Sequence, residues 1–366
     1  MTMPSSVAAS SAPAFATLAV TDVRRDTANS VVVTLDAGGD DRFRFVHGQH
    51  LTFSRNFDDV GVRRSYSICS SAQSGELAVG IKRVEGGVFS TWANTELAEG
   101  DQLRVMTPTG SFTHTLDPAA ARSYTLVAAG SGITPIASIA ATVLEAEPAS
   151  VVTLLQIDQT LASIMLLPEI EALRNWYLGR LRIWHVLTRE PTDSPLLSGR
   201  PDGPRFEAFI DSGMLDEAPD HVFVCGPEEV VETVRAVYEA RGTDPDLVHD
   251  ELFTSAQVGR IESAGPAVVS DGAIPVATGS AVLHGRRLAF AMYEGDTVLD
   301  AAQRVRHDVP FSCRAGVCSS CRAHLTEGEV TMGVTHGLVP GDADGGFILT
   351  CQAHPTSSMI TVDFDR

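Results

Sequence analysis

The chain has 366 residues, of which 44% are hydrophobic, and it carries a formal net charge of -19 at pH 7. This length exceeds that of one ordinary hydrophobic core and predicts two or three domains. The negative charge argues against nucleic acid or an anionic membrane surface as a partner, and it either favours basic partner surfaces or serves solubility alone.

The first 14 residues are rich in Ala and Ser and lack the basic and apolar regions of a signal peptide. We therefore expect residues 1–14 to be a disordered tail. No segment of the chain approaches the ~18 consecutive apolar residues of a membrane span. These features predict a cytoplasmic protein without a membrane partner.

Residues 15–118 contain short apolar runs separated by Gly, Asp and Asn, a pattern typical of an antiparallel barrel or sandwich. The predicted strands are Ser30–Leu35, His50–Phe53, Ser65–Cys69, Glu76–Arg83 and Asp101–Met106.

Residues 119–254 alternate apolar strands with helical patterns, which indicates βαβ units and a parallel sheet. The predicted strands are Tyr124–Ala128, Val151–Gln156, Leu181–Leu187 and His221–Cys225. The predicted helices are Thr134–Glu147, Pro168–Tyr177, Gly203–Ile210 and Pro227–Arg241.

A Gly-rich turn, Gly130-Ser131-Gly132, follows the first of these parallel strands and leads into a helix that contains Thr134. Glycines allow a backbone to approach a pyrophosphate closely, and a helix N-terminus favours its negative charge. This pattern predicts a site for a pyrophosphate, with Gly130, Gly132 and the Thr134 hydroxyl as its contacts.

Residues 255–277 are rich in Gly, Ser, Ala and Pro and are predicted to be an interdomain linker. Residues 278–366 begin with a predicted hairpin, continue with a helix over Val298–Val305, and contain four of the six cysteines.

Three cysteines, Cys313, Cys318 and Cys321, have the spacing C-x4-C-x2-C, and Cys351 follows in a later predicted strand. This spacing is that of plant-type [2Fe-2S] sites. The binding loop must curl tightly, and Gly316 permits the backbone angles that this requires. Zinc is the alternative, but zinc knuckles are expected to contribute two C-x2-C pairs, and only one occurs. A reducing compartment argues against disulfides.

The segments CRAGVCSSCRAHLTEGEVTM and CQAHP resemble the C-terminal ferredoxin domain of oxygenase reductases, and most of all that of the reductase subunits of phenylacetyl-CoA epoxidases. The resemblance extends from about residue 16 to residue 366 in the same domain order. It implies a multidomain fold: an antiparallel β-barrel FAD domain over residues 15–118, an α/β parallel-sheet nicotinamide domain over residues 119–254, and an α+β, β-grasp-like ferredoxin domain over residues 278–366.

The run Arg64-Ser65-Tyr66-Ser67 matches the R-x-Y-S motif of the ferredoxin–NADP reductase family. The resemblance implies that Arg64 binds the FAD pyrophosphate, Tyr66 stacks on the isoalloxazine, and Ser67 bonds its reactive edge. An inward Tyr on an amphipathic strand is the alternative for Tyr66. Further flavin contacts are expected where a turn enters a helix, at Gly86, Gly87, Val88 and Ser90, and at Lys82 before them.

The same resemblance places the nicotinamide ring near Cys225 and Gly226, and a further cofactor contact in the run Glu251-Leu252-Phe253 after the last βα unit. Phe253 would cover the flavin face opposite Tyr66 and move aside for nicotinamide. Cys225 as a buried structural thiol and Phe253 as a core residue are the alternatives. The predicted catalytic group is Tyr66, Ser67, Cys225 and Phe253.

The coenzyme is NADH or NADPH. The run Gln156–Thr160 carries no basic residue for a 2′-phosphate, and Asp158 suits ribose hydroxyls, which favours NADH. Arg189 could still bind a 2′-phosphate.

Together these sites imply an electron-transfer reductase that passes electrons from NAD(P)H to FAD, then to [2Fe-2S], and then to an oxygenase. The resemblance implies the diiron epoxidase that acts on phenylacetyl-CoA. A reductase for a Rieske-type ring or steroid hydroxylase is the alternative. A non-enzymatic redox carrier or sensor is the alternative of another class.

Overall fold

The computed structural model describes residues 13–58, 60–253, 272–339 and 341–366. Residues 16–253 belong to one compact unit, and residues 272–366 belong to a second. Most of the predicted tail and most of the predicted linker lie outside the described residues. Within those residues, no helix is long and apolar enough to cross a membrane.

The first half of the larger unit is an antiparallel β-barrel in the strand order β4-β3-β6-β1-β2-β5. Its elements are β1 (Phe15–Thr27), β2 (Ser30–Asp36), a 3-10 turn (Asp41–Phe43), β3 (His50–Phe57), β4 (Val60–Ser67), β5 (Leu77–Lys82), α1 (Val88–Thr95) and β6 (Gln102–Thr109). An antiparallel bridge from Ile68 to Val79 joins the β4 and β5 edges. The barrel therefore closes on itself, and that closure covers both sheet edges.

The second half is a five-stranded parallel sheet in the order β11-β10-β7-β8-β9. Its elements are β7 (Ser123–Ala129), α2 (Ile133–Ala146), β8 (Val151–Asp158), α3 (Leu167–Trp176), β9 (Leu181–Leu187), α4 (Gly203–Asp211), β10 (His221–Gly226), α5 (Glu228–Ala240) and β11 (Val248–Leu252). Short 3-10 turns lie at Gly130–Gly132, Leu161–Ser163, Pro195–Leu197 and Pro245–Leu247.

Strands β7 and β10 are neighbours although two βα units separate them in the chain. The strand order therefore reverses between them. Open α/β sheets bind ligands at such a switch point, beyond the carboxyl ends of the strands. Strand β7 ends at Ala129, directly before the predicted Gly-rich turn. Strand β10 ends at Gly226, within the predicted Cys225-Gly226 turn.

The smaller unit is a mixed sheet with one helix packed on it, which is a β-grasp arrangement. Its elements are β12 (Ala277–Leu283), β13 (Arg286–Met292), α6 (Val298–Val305), β14 (Arg322–Glu327), β15 (Val330–Met332), β16 (Phe347–Leu349), β17 (Ala353–Pro355) and β18 (Met359–Asp363). The main sheet has the order β13-β12-β18-β14-β16, and the pair β12 and β18 is parallel. Thr297 and Asp300 form a capping box that starts α6 at its predicted first residue.

Candidate functional site

The cysteine loop curls around its own sulfur atoms. Residues Arg314, Gly316 and Ser319 all have positive φ angles, of 53°, 76° and 55°. A Cβ on Gly316 would lie 2.4 Å from the Val334 carbonyl oxygen, so only glycine fits there. The Ala315 N–H donates to Cys313 Sγ at 3.3 Å. The loop therefore aims backbone amides at the sulfurs, as bound thiolates require.

The four sulfurs interact as two pairs, Cys313 with Cys318 and Cys321 with Cys351. The Cys313 N–H also donates to Cys318 Sγ at 3.4 Å. The hydrogen bond from Cys318, with help from backbone amides, lowers the pKa of Cys313 to about 6. The partner Cys321 and the Gly316 amide lower the pKa of Cys351. Among the described residues, no group of three or more His, Cys, Asp or Glu is arranged to hold a metal ion. Four cysteines paired in this way can supply the four ligands of a [2Fe-2S] cluster.

The R-x-Y-S motif occupies the end of β4, where Tyr66 packs among other rings. Its ring centroid lies 5.6 Å from that of Phe89 and 5.8 Å from that of Phe53. Burial raises the pKa of the Tyr66 hydroxyl, and the nearby Arg64 charge opposes that shift. Tyr66 is thus a neutral aromatic surface beside a cation, which suits a flavin and its pyrophosphate.

Helix α1 begins at Val88, as the sequence predicts, after the Gly86-Gly87 turn. The Ser90 hydroxyl accepts from the Val84 N–H at 3.1 Å and donates to the Gly87 carbonyl at 3.3 Å. Sequence reasoning assigned this hydroxyl to phosphate, but it is already engaged in shaping the turn. The first backbone N–H groups of a helix have no partner within the helix, so the start of α1 still suits an anion.

The structure brings Ser67, Cys225 and Glu251 together between the barrel and the parallel sheet. Ser67 Oγ donates to Glu251 Oε2 at 3.4 Å, and Cys225 Sγ lies 3.9 Å from the same oxygen. Removal of water from the Glu251 carboxyl raises its pKa to about 8. Burial and the Glu251 charge raise the pKa of the Cys225 thiol. The Phe253 N–H bonds the Gly226 carbonyl at 2.9 Å, which places Phe253 beside this group.

The two turns at the switch point are packed against each other. A Cβ on Gly132 would lie 2.1 Å from the Cys225 carbonyl oxygen, so this approach requires glycine. Lys82 Nζ would lie 3.5 Å from a Cβ on Gly130, which places a cation over the Gly-rich turn. The buried Thr134 hydroxyl donates to the Ser131 carbonyl at 3.0 Å. This hydroxyl shapes the turn, whereas sequence reasoning assigned it to pyrophosphate.

Asp158 is the last residue of β8 and is only 4% exposed. Neither carboxylate oxygen has a hydrogen-bond partner among the described residues. Burial raises the pKa of Asp158 to about 7, and the charge of Lys82 opposes that shift. The sequence suggested a carboxylate beyond the strand, facing ribose, but the strand includes Asp158 and buries it.

Sequence reasoning missed Glu190, which lies next to the predicted Arg189. Its carboxylate accepts from the Leu161 N–H at 2.9 Å, next to the exposed Arg189. The Arg189 N–H bonds the Gln159 carbonyl at 2.8 Å. An acidic side chain therefore accompanies the basic one that the sequence offered for a 2′-phosphate. The only sequence signal was that Glu190 directly follows Arg189.

Family models match all three parts of the chain. An oxidoreductase FAD-binding domain covers residues 18–114, an oxidoreductase NAD-binding domain covers residues 126–236, and a 2Fe-2S iron-sulfur cluster binding domain covers residues 282–356. One subunit of 1,2-phenylacetyl-CoA epoxidase from Escherichia coli (strain K12) is 35% identical over 96% of this chain and 98% of its own length. The chain belongs to the family of FAD- and [2Fe-2S]-containing oxygenase reductases.

Two further comparisons agree with this family. The ferredoxin reductase component of 3-ketosteroid-9-alpha-monooxygenase from Mycobacterium tuberculosis (strain CDC 1551 / Oshkosh) is 33% identical to the reductase, over 93% of each chain. The solved structure of phthalate dioxygenase reductase has the same fold, with a TM-score of 0.57 and 23% identity over 95% of the reductase and 98% of that chain.

The predicted fold class and cofactors are confirmed. The reductase is an electron-transfer oxidoreductase with domains for FAD, NAD(H) and [2Fe-2S]. Its relatives are reductase components of oxygenases.

Proposed function

We propose that the reductase delivers electrons from NAD(P)H to the diiron oxygenase of a phenylacetyl-CoA 1,2-epoxidase. The observation that carries this proposal is the 35% identity to a component of that enzyme, which spans 98% of the relative's length. We also propose a cytoplasmic location, because a set of cluster-binding thiols suits a reducing compartment.

The proposed flavin site lies along β4 and the start of α1. Bound FAD supplies the conversion of a two-electron donor to one-electron transfers, which no protein side chain can perform. Arg64 and the α1 backbone amides bind the pyrophosphate, and Tyr66 supports the isoalloxazine. Ser65 and Ser67 bond the flavin from the same strand.

The proposed nicotinamide site lies against Cys225, Glu251 and Phe253. The pKa of about 8 keeps Glu251 largely protonated at neutral pH, so no buried charge opposes an anionic dinucleotide. Glu251 positions Ser67 through their hydrogen bond. Phe253 occupies the place of the nicotinamide ring until the coenzyme displaces it. Lys82, which the sequence grouped with the flavin contacts, lies beside the Gly130–Gly132 turn, and together they hold the coenzyme pyrophosphate.

Cys313, Cys318, Cys321 and Cys351 hold the [2Fe-2S] cluster in this proposal, and the cluster is the exit for electrons. The two cysteine pairs and the amides around them support this assignment. The oxygenase collects each electron from this unit.

We propose NADH as the preferred coenzyme. The run Gln156–Thr160 offers no cation to a 2′-phosphate, and Glu190 places a carboxylate next to Arg189, the remaining candidate. A carboxylate accepts hydrogen bonds from ribose hydroxyls and repels phosphate.

The second candidate function is electron delivery to a steroid hydroxylase, which the 33% identity to the 3-ketosteroid monooxygenase reductase favours. Reconstitution distinguishes the two. The purified reductase is mixed with NADH and either the epoxidase oxygenase with phenylacetyl-CoA or the steroid oxygenase with its substrate. We expect coenzyme oxidation coupled to epoxide formation in the first mixture alone. Product only in the second mixture would favour the steroid hydroxylase. No NAD(P)H-dependent cytochrome c reduction would favour a carrier or sensor.

A further inference from the structure

Phe89, the second residue of α1, lies at the centre of a five-ring cluster and is 1% exposed. Its ring centroid lies 5.5 Å from that of Trp92, 5.6 Å from Tyr66, 5.9 Å from Phe53 and 6.2 Å from Phe57. Phe89 is therefore in contact distance of every other ring in the cluster. Aromatic pairs at these separations have preferred orientations and so restrict one another.

The cluster fixes Phe89 from the side opposite Tyr66 as well. The Trp92 and Phe57 rings pack together at 6.0 Å, and the Arg55 guanidinium lies 3.9 Å from the Trp92 ring centroid. This cation–π contact holds the outer end of the cluster. Phe89 can therefore change its angle only if several neighbouring side chains also move.

Phe89 also links the two elements of the proposed flavin site. Its backbone belongs to the first turn of α1, where the pyrophosphate would bind. Its ring meets that of Tyr66 at an interplanar angle of 34°, and Phe53 meets Tyr66 at 60°. Two rings from different elements thus restrict rotation of the Tyr66 ring.

We propose that Phe89 is a positioning residue for FAD, which fixes the plane of Tyr66 and couples it to the phosphate-binding start of α1. The inference rests on the proposed placement of FAD at Arg64, Tyr66 and α1. Phe89 itself does not touch the flavin. It sets the angle at which Tyr66 meets the isoalloxazine.

Phe57 provides a matched control, because it contacts Phe89 and Trp92 in the same cluster but forms no ring pair with Tyr66 among the described residues. Phe89→Leu and Phe57→Leu both keep an apolar side chain and remove one ring of the cluster, a buried ring at Phe89 and a half-buried ring at Phe57. A role in packing alone predicts a loss of stability from both, larger for Phe89→Leu, and no change in the fluorescence of bound flavin from either. A positioning role predicts that only Phe89→Leu alters the flavin.

The experiment titrates FAD into the flavin-free full-length protein and measures the dissociation constant, the fluorescence yield of bound flavin and the thermal midpoint. Stacking on Tyr66 quenches flavin fluorescence. We expect Phe89→Leu to raise the dissociation constant about tenfold, which is about 1.4 kcal/mol, and to increase the bound-flavin fluorescence. We expect Phe57→Leu to lower the thermal midpoint and leave the fluorescence yield unchanged. If Phe89→Leu does not fold, Phe89→Met replaces it in the experiment, because the flexible Met side chain can fill the space of the Phe89 ring.

Tyr66→Leu separates failure of the inference from failure of the flavin assignment. If Tyr66→Leu raises fluorescence and Phe89→Leu leaves both fluorescence and affinity unchanged, the positioning role is wrong and the flavin assignment stands. Equal changes in FAD affinity and in bound-flavin fluorescence in Phe89→Leu and Phe57→Leu would also overturn the positioning role. If Tyr66→Leu changes neither quantity, FAD does not stack on Tyr66, and the assignment and the inference both fail.

Discussion

Ser67 of the barrel donates to Glu251 of the parallel sheet at 3.4 Å, and this bond joins the two halves of the larger unit at the proposed site of hydride transfer. The two residues are 184 positions apart in sequence. Cys225 contacts the same carboxylate at 3.9 Å from the neighbouring strand. One carboxyl group therefore connects Ser67 and Cys225, which the sequence assigned to the flavin edge and to the nicotinamide ring.

Ionisation of Glu251 is expected to slow flavin reduction. Its pKa of about 8 keeps it mostly protonated at pH 7, and the charge that appears above pH 8 lies where the anionic coenzyme binds. We expect the rate of flavin reduction, measured by stopped flow, to fall about tenfold between pH 7 and pH 9. Glu251→Gln imitates the protonated form and should remove this decline. A decline that persists in Glu251→Gln would assign it to another group.

The same pKa shift predicts a stability effect of definite sign. The folded-state pKa of about 8 lies above the ordinary value of 4.5, so the folded protein binds the proton more tightly than the unfolded chain. Wild type should therefore lose stability as the pH rises from 4.5 to 8, relative to Glu251→Gln. The thermal midpoint of wild type minus that of the variant should therefore be lower at pH 8 than at pH 5. An equal difference at the two pH values would contradict the shifted pKa.

Loss of the cluster should stop electron transfer beyond the flavin and leave transfer from the coenzyme to the flavin intact. Cys318→Ser removes one thiolate of the first pair, and we expect it to abolish the visible absorption of the cluster. Coenzyme-dependent reduction of ferricyanide, which can accept electrons directly from flavin, should stay within about twofold of wild type. Reduction of cytochrome c should fall at least about 100-fold. The matched control is Cys69→Ser, a free cysteine of the barrel half. Unchanged cytochrome c reduction in Cys318→Ser would remove the cluster from the path.

The preference for NADH or NADPH tests the proposed roles of Glu190 and Arg189. We expect a higher kcat/KM for NADH than for NADPH. Glu190→Gln should improve kcat/KM for NADPH several-fold, because it removes a carboxylate beside Arg189, and an exposed charge pair is worth on the order of 1 kcal/mol. Arg189→Gln is the opposite control and should weaken NADPH use further. A clear preference of wild type for NADPH would contradict the proposal.

The sequence predicted the bounds of one helix and one strand correctly. Helix α6 and strand β9 have their predicted bounds, Val298–Val305 and Leu181–Leu187. Strands β1 and β11 were missed. β1 has only two buried residues, Leu18 and Val20, in its 13 positions, and β11 has three polar residues in five. Sheet pairing stabilises both strands, and local composition does not reveal it.

Within the site, residue identity was more predictable than side-chain orientation. The cysteine spacing and the R-x-Y-S motif can be recognised without a fold. The hydroxyls of Ser90 and Thr134 and the carboxylate of Asp158 could not be placed, because their partners and burial depend on how each turn closes. Phe89 and Glu190 gave no distinct signal for the same reason. Their roles depend on neighbours that are distant in sequence, such as Tyr66 and Leu161.

A histidine cluster at the opposite edge of the parallel sheet is expected to make the larger unit sensitive to acid. His114 Nε2 lies 2.9 Å from Tyr124 Oη, which donates to Glu147 at 2.8 Å. His114 Nδ1 lies 3.3 Å from His47 Nε2, and His221 Nδ1 lies 3.1 Å from His249 Nε2. Because Tyr124 donates to a carboxylate, its oxygen accepts from His114 Nε2.

This network requires neutral imidazoles. Burial lowers the pKa of His47 and of His249 to about 4, and burial with neighbouring histidines lowers that of His114 to about 2. The charged groups around the network are Arg122, Glu147, Asp220 and Arg235. The unfolded chain takes up these protons near pH 6.5, so the folded unit loses stability as the pH falls from 6.5 towards 4.

His114→Phe keeps a ring in the cluster and removes one titrating group. We expect the thermal midpoint for release of FAD to fall by several degrees between pH 7 and pH 5 in wild type, and by less in His114→Phe, whatever the absolute midpoint of the variant. The control His336→Gln changes an exposed histidine of the smaller unit and should decline as wild type does. If His114→Phe also declines as wild type does, the acid sensitivity arises outside the cluster, because removal of a depressed histidine pKa must flatten the pH dependence in this range.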